Sequence, residues 1–220
     1  MNPIPPTAPN PTRRDDLAAV VRDATLSYPA ADMNDDSLLE ATRQFIMSLE
    51  GEHIPHVLVG GLAVLQYVDG RNTRDIDLII AIEDLTRLPG FQLEEKNEWF
   101  ATGTSGPLRV DLLFTVNPLF ANIMEQHSEE RTFLDARLRC ATPLGIVLLK
   151  LFALPSLYRQ GNIDRAALYE TDILQLLHRH PADAETLLAT LSPYLLPSDI
   201  NALRAVLADI HSRLAHGNRF

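Results

Sequence analysis

Residues 57–80, VLVGGLAVLQYVDGRNTRDIDLII, decide the fold. Their hydrophobic pattern predicts four successive elements: a buried strand over 56–61, a helix over 62–68, a loop over 69–73 and a second strand over 74–82. Asp75 and Asp77 lie inside the second strand, where their neighbours are apolar. A buried carboxylate is costly unless it is paired, hydrogen-bonded or bound to a metal. These two residues therefore need a specific partner.

The two carboxylates point to the same side of the predicted strand, because side chains alternate between faces along a strand. Carboxylates placed side by side repel each other, and a divalent cation removes that repulsion. Mg²⁺ prefers oxygen ligands and is usually held by one or two carboxylates together with substrate phosphates. Asp111, in RVDLLF, is a third candidate ligand if its strand packs beside that of Asp75 and Asp77. Three carboxylates could hold two metal ions.

Gly60 and Gly61 stand where the first predicted strand passes into the helix. Bare backbone N–H groups and the positive end of a helix favour an anion such as a phosphate at such a junction. Taken alone, a glycine pair is more often a tight turn, and a pair of aspartates is more often solvated. Their occurrence in this order within one segment predicts a triphosphate site beside a metal site.

The length and composition suit one compact domain, or one domain with a small appendage. A chain of 220 residues with 46% hydrophobic residues can bury a sizeable core. No apolar run reaches the roughly 18 residues of a membrane span, and the N-terminus lacks the core of a signal peptide, so no membrane partner is expected. The single cysteine, Cys140, excludes an internal disulfide framework and gives no metal-ligand spacing. These features predict a cytoplasmic protein.

The charge argues against broad electrostatic binding of nucleic acid, which depends on Lys and Arg neutralising phosphates. The net charge is −10 and the isoelectric point is about 5.1. A local basic face is still compatible with this balance. Its candidate members are Arg131, Arg137, Arg139, Lys150, Arg159 and Arg165.

The remaining elements follow from periodicity and from the positions of proline and glycine. Asp35, Asp36 and Ser37 can cap a first helix. Residues 97–103 and 108–116 predict a β-hairpin. A short helix over 83–88 and a short strand near 134–140 are also expected. Thr142-Pro143 opens a helix, and further helices are predicted over 165–180, 183–192 and 198–215, with Pro155, Pro181, Pro193 and Pro197 as breaks.

This order of elements predicts an α+β fold, in which a mixed β-sheet is flanked by helices and followed by a helical C-terminal part. We expect three regions. A proline-rich leader, disordered or partly ordered, covers 1–32, the core covers 33–142, and the C-terminal helical region covers 143–220.

The sequence resembles the nucleotidyltransferase superfamily related to DNA polymerase β, and looks closest to its minimal AbiEii-like and MenT-like branches from bacterial toxin–antitoxin and phage-defence loci. The resemblance is specific over about residues 54–115. It rests on Gly60-Gly61, on Arg71-x-Thr73-x-Asp75-Ile76-Asp77-Leu78 and on Asp111 in RVDLLF. It extends more loosely to Lys150 and Asp172.

The resemblance implies a Mg²⁺-dependent enzyme that moves a nucleotidyl group from an NTP to a hydroxyl. Asp75, Asp77 and Asp111 would be the metal ligands, with Asp111 also a candidate base. The residues that would contact the nucleotide are Gly60, Gly61, Arg74 and Lys150. The acceptor could be a tRNA, a protein or a small molecule such as an aminoglycoside, and a toxin of this kind would have an antitoxin partner. Many members carry Gly-Ser, whose hydroxyl reaches a phosphate, and position 61 lacks that hydroxyl.

Two alternatives stay open. The first is a catalytically degenerate module of the same fold that binds nucleotide or a partner without turnover. The second is a glycosyltransferase that uses its two aspartates to bind a nucleotide-sugar, although this leaves Gly60-Gly61 and Asp111 unexplained. Lys150 could also be an ordinary exposed helix residue, Trp99 is expected in the core or a pocket wall, and the His178-Arg179-His180 run is expected at a solvated helix end.

Overall fold

The computed structural model describes residues 35–69, 73, 75–133 and 136–217. In these ranges one mixed sheet has the strand order β3-β4-β5-β2-β1-β7-β6. Its strands are β1 (His56–Val59), β2 (Asp75–Ile80), β3 (Phe91–Lys96), β4 (Phe100–Ser105), β5 (Leu108–Phe114), β6 (Ser128–Phe133) and β7 (Ala136–Ala141). The helices are α1 (Asp35–Gly51), α2 (Gly60–Leu65), α3 (Pro118–Gln126), α4 (Pro143–Arg159), α5 (Ile163–Arg179), α6 (Ala184–Leu191) and α7 (Pro197–Gly217), with a 3₁₀ turn at Ile82–Arg87.

The centre of the sheet contains the two strands of residues 56–80, β1 and β2. Strand β1 is buried along its whole length and pairs antiparallel with β2, and β2 pairs parallel with β5. On its other side β1 pairs parallel with β7. Buried central strands need apolar side chains on both faces, which is why an unbroken apolar run, Val57, Leu58 and Val59, follows His56 in β1.

The helices that follow the sheet cover the face that carries Asp77. Helix α4 begins as expected: the side chain of Thr142 accepts a hydrogen bond from the Gly145 N–H at 3.2 Å, and Pro143 occupies the first turn. Asn162 and Asp183 cap α5 and α6 in the same way. Helices α4, α5, α6 and α7 pack on one another and share one hydrophobic core with the sheet.

The predicted α+β fold, with a mixed sheet and a helical C-terminal part, is confirmed. Two strands were missed. Strand β3 lies at an exposed edge and lacks a buried apolar face, and β6 has the polar sequence SEERTF. The break predicted at Pro155 is wrong, because α4 continues through it to Arg159. The predicted leader over 1–32 lies outside the described residues. No helix in the described ranges is long and apolar enough to cross a membrane.

Candidate active site

The parallel pairing of β2 with β5 places the predicted carboxylates together. Asp77 lies directly opposite Asp111, and Asp75 lies opposite Arg109. Neighbouring strands are about 4.8 Å apart, and residues two apart on a strand share a face. All three aspartates therefore project from one side of the sheet, toward α4 and α5. The pairing that brings Asp111 to Asp77 joins strands that are not consecutive in the chain.

Gly60 makes room for the carboxylate of Asp77. It has a φ of +67°, and a Cβ atom at this position would lie 1.8 Å from Asp77 Oδ2. Any side chain would therefore displace the carboxylate, and an L-residue would also be strained in this left-handed conformation. The N–H of Gly61 donates a hydrogen bond to Asp77. In this structure the glycine pair accommodates and orients an aspartate, in addition to any contact with a phosphate.

Gly61 is packed against the side chain of Thr73. A Cβ on Gly61 would lie 2.6 Å from Thr73 Oγ1 and 2.7 Å from Thr73 Cβ. A serine at position 61 would therefore collide with Thr73. The hydroxyl of Thr73 stands beside the space that such a serine side chain would occupy, and this proximity was not expected from the sequence.

The carboxylates carry more negative charge than their surroundings compensate. The pKa of Asp77 is raised to about 7, mainly by burial and then by the charge of Asp111, with a smaller effect of Asp75. Burial also raises the pKa of Asp111, an effect that Arg109 and Arg165 oppose. Asp111 Oδ1 is buried without a hydrogen-bond partner, and Arg109 Nε lies 3.5 Å from it. This clustering of carboxylates favours the binding of a cation.

Lys150 is buried behind the aspartates. Its Nζ lies 2.8 Å from Asp172 Oδ2 and 4.1 Å from the centre of the Tyr169 ring, and the whole residue is only 4% exposed. Its positive charge lowers the pKa of Asp77, although less than burial and Asp111 raise it. The alternative of an exposed helix residue is therefore wrong. The pairing of Lys150 with Asp172 joins the two positions that the resemblance linked loosely.

Arg165 is a second cation near the carboxylates, and the sequence proposed it only as part of a basic face. Its pKa is raised, first by Tyr169 and also by Asp77 and Asp111. Its guanidinium lies 5.7 Å from the Tyr169 ring centre. Arg165 and Tyr169 on α5 line the same cavities as Asp111 on β5. Because these residues are far apart in the chain, no local sequence pattern could have indicated that Arg165 lies near the carboxylates.

Two cavities meet at Asp111, Arg165 and Tyr169. The first, which we call the polar cavity, measures about 680 Å³; besides these three residues it is lined by Thr73, Asp75, Arg109, Asn162, Asp164 and Leu168. The second, which we call the apolar cavity, measures about 600 Å³ and includes Asp77. Its apolar walls are Trp99, Phe100, Phe152, Leu157, Tyr194 and Leu195. Trp99, expected in the core or a pocket wall, is in a pocket wall.

A metal cage made of protein alone is not present in the described part of the chain. No group of three or more His, Cys, Asp or Glu side chains there is arranged to hold a metal ion. Mg²⁺ does not need such a cage, because it is commonly bound through one or two carboxylates and substrate phosphates. The oxygen donors and the crowded negative charge fit an ion of this kind, and Asp111 Oδ1 is buried with Arg109 Nε 3.5 Å away.

The structure brings together five of the seven predicted site residues: Gly60, Gly61, Asp75, Asp77 and Asp111. Lys150 stands behind them and acts on Asp77 through its charge. Arg74, predicted to contact the nucleotide, and Arg71 lie outside the described residues.

The residues proposed for a basic face are largely engaged with neighbours. Arg131 lies 2.6 Å from Glu129, Arg159 lies 2.7 Å from Asp199, and Lys150 pairs with Asp172. Arg139 donates to the Met124 carbonyl at 2.9 Å, and Arg137 lies 3.9 Å from Glu130. The acidic partners compensate the positive charge of Arg131, Lys150 and Arg159, whereas the Met124 carbonyl only accepts a hydrogen bond from Arg139.

Comparisons with known proteins found matches only among solved structures. No family model and no curated protein matches the chain. The fold is similar to that of an antigenic nucleotidyltransferase-like protein from Paracoccidioides brasiliensis, with a TM-score of 0.49 and 13% identity over 80% of this chain and 95% of that one. It is also similar to the antibiotic-resistance factor ANT(2'')-Ia in solution, with a TM-score of 0.47 and 15% identity over 84% and 98% of the two chains. A structure of ANT(2'')-Ia in complex with adenylyl-2''-tobramycin is similar as well, with a TM-score of 0.46 and 16% identity over 79% of this chain and 98% of that one.

Proposed function

We propose that this protein is a Mg²⁺-dependent nucleotidyltransferase, which moves a nucleotidyl group from an NTP to a hydroxyl acceptor. The observation that carries the proposal is the register of β2 and β5, which sets Asp77 directly opposite Asp111. Gly60 leaves space for one carboxylate, while the other has an oxygen without a hydrogen-bond partner. Both face cavities large enough for substrates.

Asp77, Asp111 and Asp75 are the proposed metal ligands. Because they do not form a three-ligand cage, one or two of them would hold an ion together with substrate phosphates. Bound Mg²⁺ would polarise the α-phosphate and compensate the negative charge of the leaving pyrophosphate. The neighbouring Arg109 and Arg165 add positive charge on the side of the polar cavity, where phosphate oxygens would lie. Electrostatic stabilisation and positioning supply most of the catalysis in phosphoryl-transfer chemistry, and these residues provide both.

Asp111 is the proposed general base. The acceptor oxygen forms a bond to the α-phosphorus, the bond from that phosphorus to the bridging oxygen breaks, and its electron pair leaves with pyrophosphate. The proton of the acceptor hydroxyl passes to Asp111. A carboxylate whose pKa is raised by burial is a better proton acceptor than an exposed one.

Thr73 is proposed to supply the hydroxyl that position 61 lacks. It lines the polar cavity together with Asp75, and its Oγ1 is packed against Gly61. A hydroxyl beside the glycine pair could donate to a phosphate oxygen bound there. The missing serine would then not be evidence against nucleotide binding.

The test compares the wild type with Asp77→Asn, using Mg²⁺ and each α-labelled NTP in turn, with a soluble cell extract and total tRNA as acceptors. Glu125→Gln, which neutralises an exposed carboxylate on α3, is the matched control. We expect label transfer by the wild type and the control, and a loss of at least about a hundredfold in Asp77→Asn.

A thermal-unfolding series gives a second readout, because a ligand that binds only the folded state raises the melting temperature. Mg²⁺ with an NTP should raise the melting temperature of the wild type and not that of Asp77→Asn. Transfer that survives in Asp77→Asn would contradict the assignment of the site.

The alternative is a degenerate module of the same fold that binds nucleotide or a partner without turnover. Stabilisation by Mg²⁺ and NTP without label transfer to any acceptor, in the wild type as well as in the control, would support this alternative over the enzyme.

A further inference from the structure

The apolar cavity includes Asp77 and Asp111 in its lining, and binding of Mg²⁺ and NTP at the proposed site does not by itself use its apolar walls. Its walls come from β4, β5, α4 and the segment before α7. Phe100 and Phe152 both make edge contacts with the buried ring of Phe120, at centroid distances of 5.4 and 5.9 Å. Two aromatic walls are therefore held in place by the core, so the cavity is preformed.

The position of the two cavities follows the geometry of the reaction. In phosphoryl transfer the attacking and leaving oxygens lie roughly in line on opposite sides of the phosphorus. The polar cavity is lined by Arg109 and Arg165 and by the carboxylates Asp75, Asp111 and Asp164, so it would take the charged pyrophosphate together with Mg²⁺. The apolar cavity shares Asp111, Arg165 and Tyr169 with the polar cavity, so an acceptor hydroxyl in the apolar cavity could reach a phosphate bound in the polar one.

The charges in the apolar cavity do not suit a polycation. The acidic residues among its described lining are Asp77, Asp111 and Asp199. Two of them belong to the proposed metal site, and Asp199 is paired with Arg159 at 2.7 Å. Arg165 adds a further positive charge. A polycationic acceptor would therefore find no uncommitted carboxylate among these residues.

The walls are mostly apolar, although Thr102, Ser156, Arg159 and Gln160 also line the cavity. A molecule that is polar over its whole surface would bury part of it against apolar side chains without hydrogen bonds, which is unfavourable. Trp99 and Leu196 extend the apolar surface to the mouth, where they are 42% and 65% exposed. Large exposed apolar side chains at the rim of a cavity are a feature of ligand sites.

We propose that the apolar cavity binds the acceptor, and that the acceptor is a small, largely apolar molecule that carries a hydroxyl. This inference rests on the proposed function, and it narrows the acceptor class from tRNA, protein or small molecule to the last. The hydroxyl reaches the carboxylates while the apolar body contacts Trp99, Phe152 and Leu195. The product is a nucleoside monophosphate ester of the acceptor, with pyrophosphate released and the hydroxyl proton passed to Asp111.

Trp99 makes the inference directly testable, because it is the only tryptophan of the chain and stands in the cavity wall. Its fluorescence would be followed during titration with 1-butanol, 1-hexanol and 1-octanol, with kanamycin as a polycationic probe. We expect saturable alcohol binding that tightens by about fourfold for each added CH₂ group, and no response to kanamycin.

Two variants close the cavity in different ways. Ala153→Phe fills it from α4, and Leu196→Glu places a charge at its mouth. Val116→Glu is the matched control, because Val116 is 48% exposed and is not among the residues that line either cavity. Both cavity variants should weaken octanol binding by more than tenfold, whereas the control should bind like the wild type. Mg²⁺–NTP binding, measured separately by calorimetry, should be unchanged in all three.

The inference would be overturned if alcohol affinity did not depend on chain length, or if kanamycin bound in the cavity. It would also be overturned if Mg²⁺–NTP changed the Trp99 emission and Leu196→Glu lost NTP binding, since the cavity would then hold the nucleobase. Chain-length-dependent alcohol binding without any NTP binding would instead support the ligand class and overturn the transferase proposal. Failure of the acceptor inference can therefore be distinguished from failure of the proposed nucleotidyltransferase function.

Discussion

Gly60 and Thr73 determine the local shape of the proposed site, and each can be tested by a single substitution. Gly60 is constrained twice, by its φ of +67° and by the Asp77 oxygen that a Cβ would meet at 1.8 Å. Thr73 is constrained by its contact with Gly61. Gly60 determines where the Asp77 carboxylate lies, whereas Thr73 is the residue proposed to contact a phosphate.

Gly60→Ala should abolish transfer, because the new methyl group must displace the Asp77 carboxylate. Gly106→Ala is the matched control, since Gly106 has a φ of +58° and nothing within 4 Å of the ideal Cβ position. The free energy of unfolding of the control should fall only by the cost of a left-handed backbone for alanine, about 1–2 kcal/mol, or a few degrees in melting temperature. The free energy of unfolding of Gly60→Ala should fall further. Equal losses of stability in the two variants, with transfer retained in Gly60→Ala, would contradict the packing argument.

Thr73→Val keeps the shape of the side chain and removes its hydroxyl, whereas Thr73→Ser keeps the hydroxyl. A hydrogen bond to a charged group contributes about 1.5–3 kcal/mol, so Thr73→Val should raise the KM for NTP by roughly tenfold or more. Thr73→Ser should stay within a few-fold of the wild type. Steady-state kinetics at saturating acceptor measures both. If the two variants behaved alike, the hydroxyl would have no role in nucleotide binding.

At the scale of the elements, the contact between α4 and α5 combines stability with electrostatics. Lys150 on α4 and Asp172 on α5 form an ion pair in which their side chains are only 5% and 2% exposed. Breaking such a pair leaves one buried charge uncompensated, which usually costs more than replacing both partners with apolar residues. The same Lys150 charge acts on Asp77 in β2.

Lys150→Met alone should lower the free energy of unfolding by about 3–5 kcal/mol, because Asp172 keeps its charge in the core. The double variant Lys150→Met with Asp172→Leu should recover most of that loss. Urea denaturation of the wild type, both single variants and the double variant measures the coupling.

Activity of the double variant separates the two roles of Lys150. A folded double variant with much reduced transfer would show that the positive charge supports the site, as the resemblance implies for this lysine. Full activity would assign Lys150 to stability alone. A cost below about 1 kcal/mol for Lys150→Met would contradict the burial of the pair.

At the scale of the whole molecule, the charge distribution opposes a nucleic-acid acceptor. The net charge is −10, and most residues proposed for a basic face are engaged by acidic or carbonyl partners. Within the part of the chain that the structure describes, these residues offer little of the broad phosphate neutralisation on which tRNA affinity depends.

We therefore expect no tRNA binding by the wild type at about 150 mM salt, as measured by filter binding over a protein concentration series. Lowering the salt should reveal only weak binding, without sequence preference. A micromolar or tighter dissociation constant at physiological salt, with several ions released on binding, would contradict this reading and restore tRNA as an acceptor.

Much of this protein could be predicted from local sequence. The alternation of Asp75 and Asp77, the glycine pair and the Thr142-Pro143 helix start are short-range patterns, and each lies where it was expected. Strands β3 and β6 were missed because edge strands need no buried apolar face, and the predicted break at Pro155 ignored the packing that keeps α4 continuous.

The sequence by itself determined which residues are candidates for the proposed chemistry, because the cost of burying Asp75 and Asp77 is a property of their immediate neighbours. Only the tertiary structure decided what surrounds them. The parallel pairing of β2 with β5, the approach of Arg165 and the junction of the two cavities at Asp111 join residues far apart in the chain. Such contacts depend on how the buried faces of distant elements fit together, and a local hydrophobic pattern does not encode that fit.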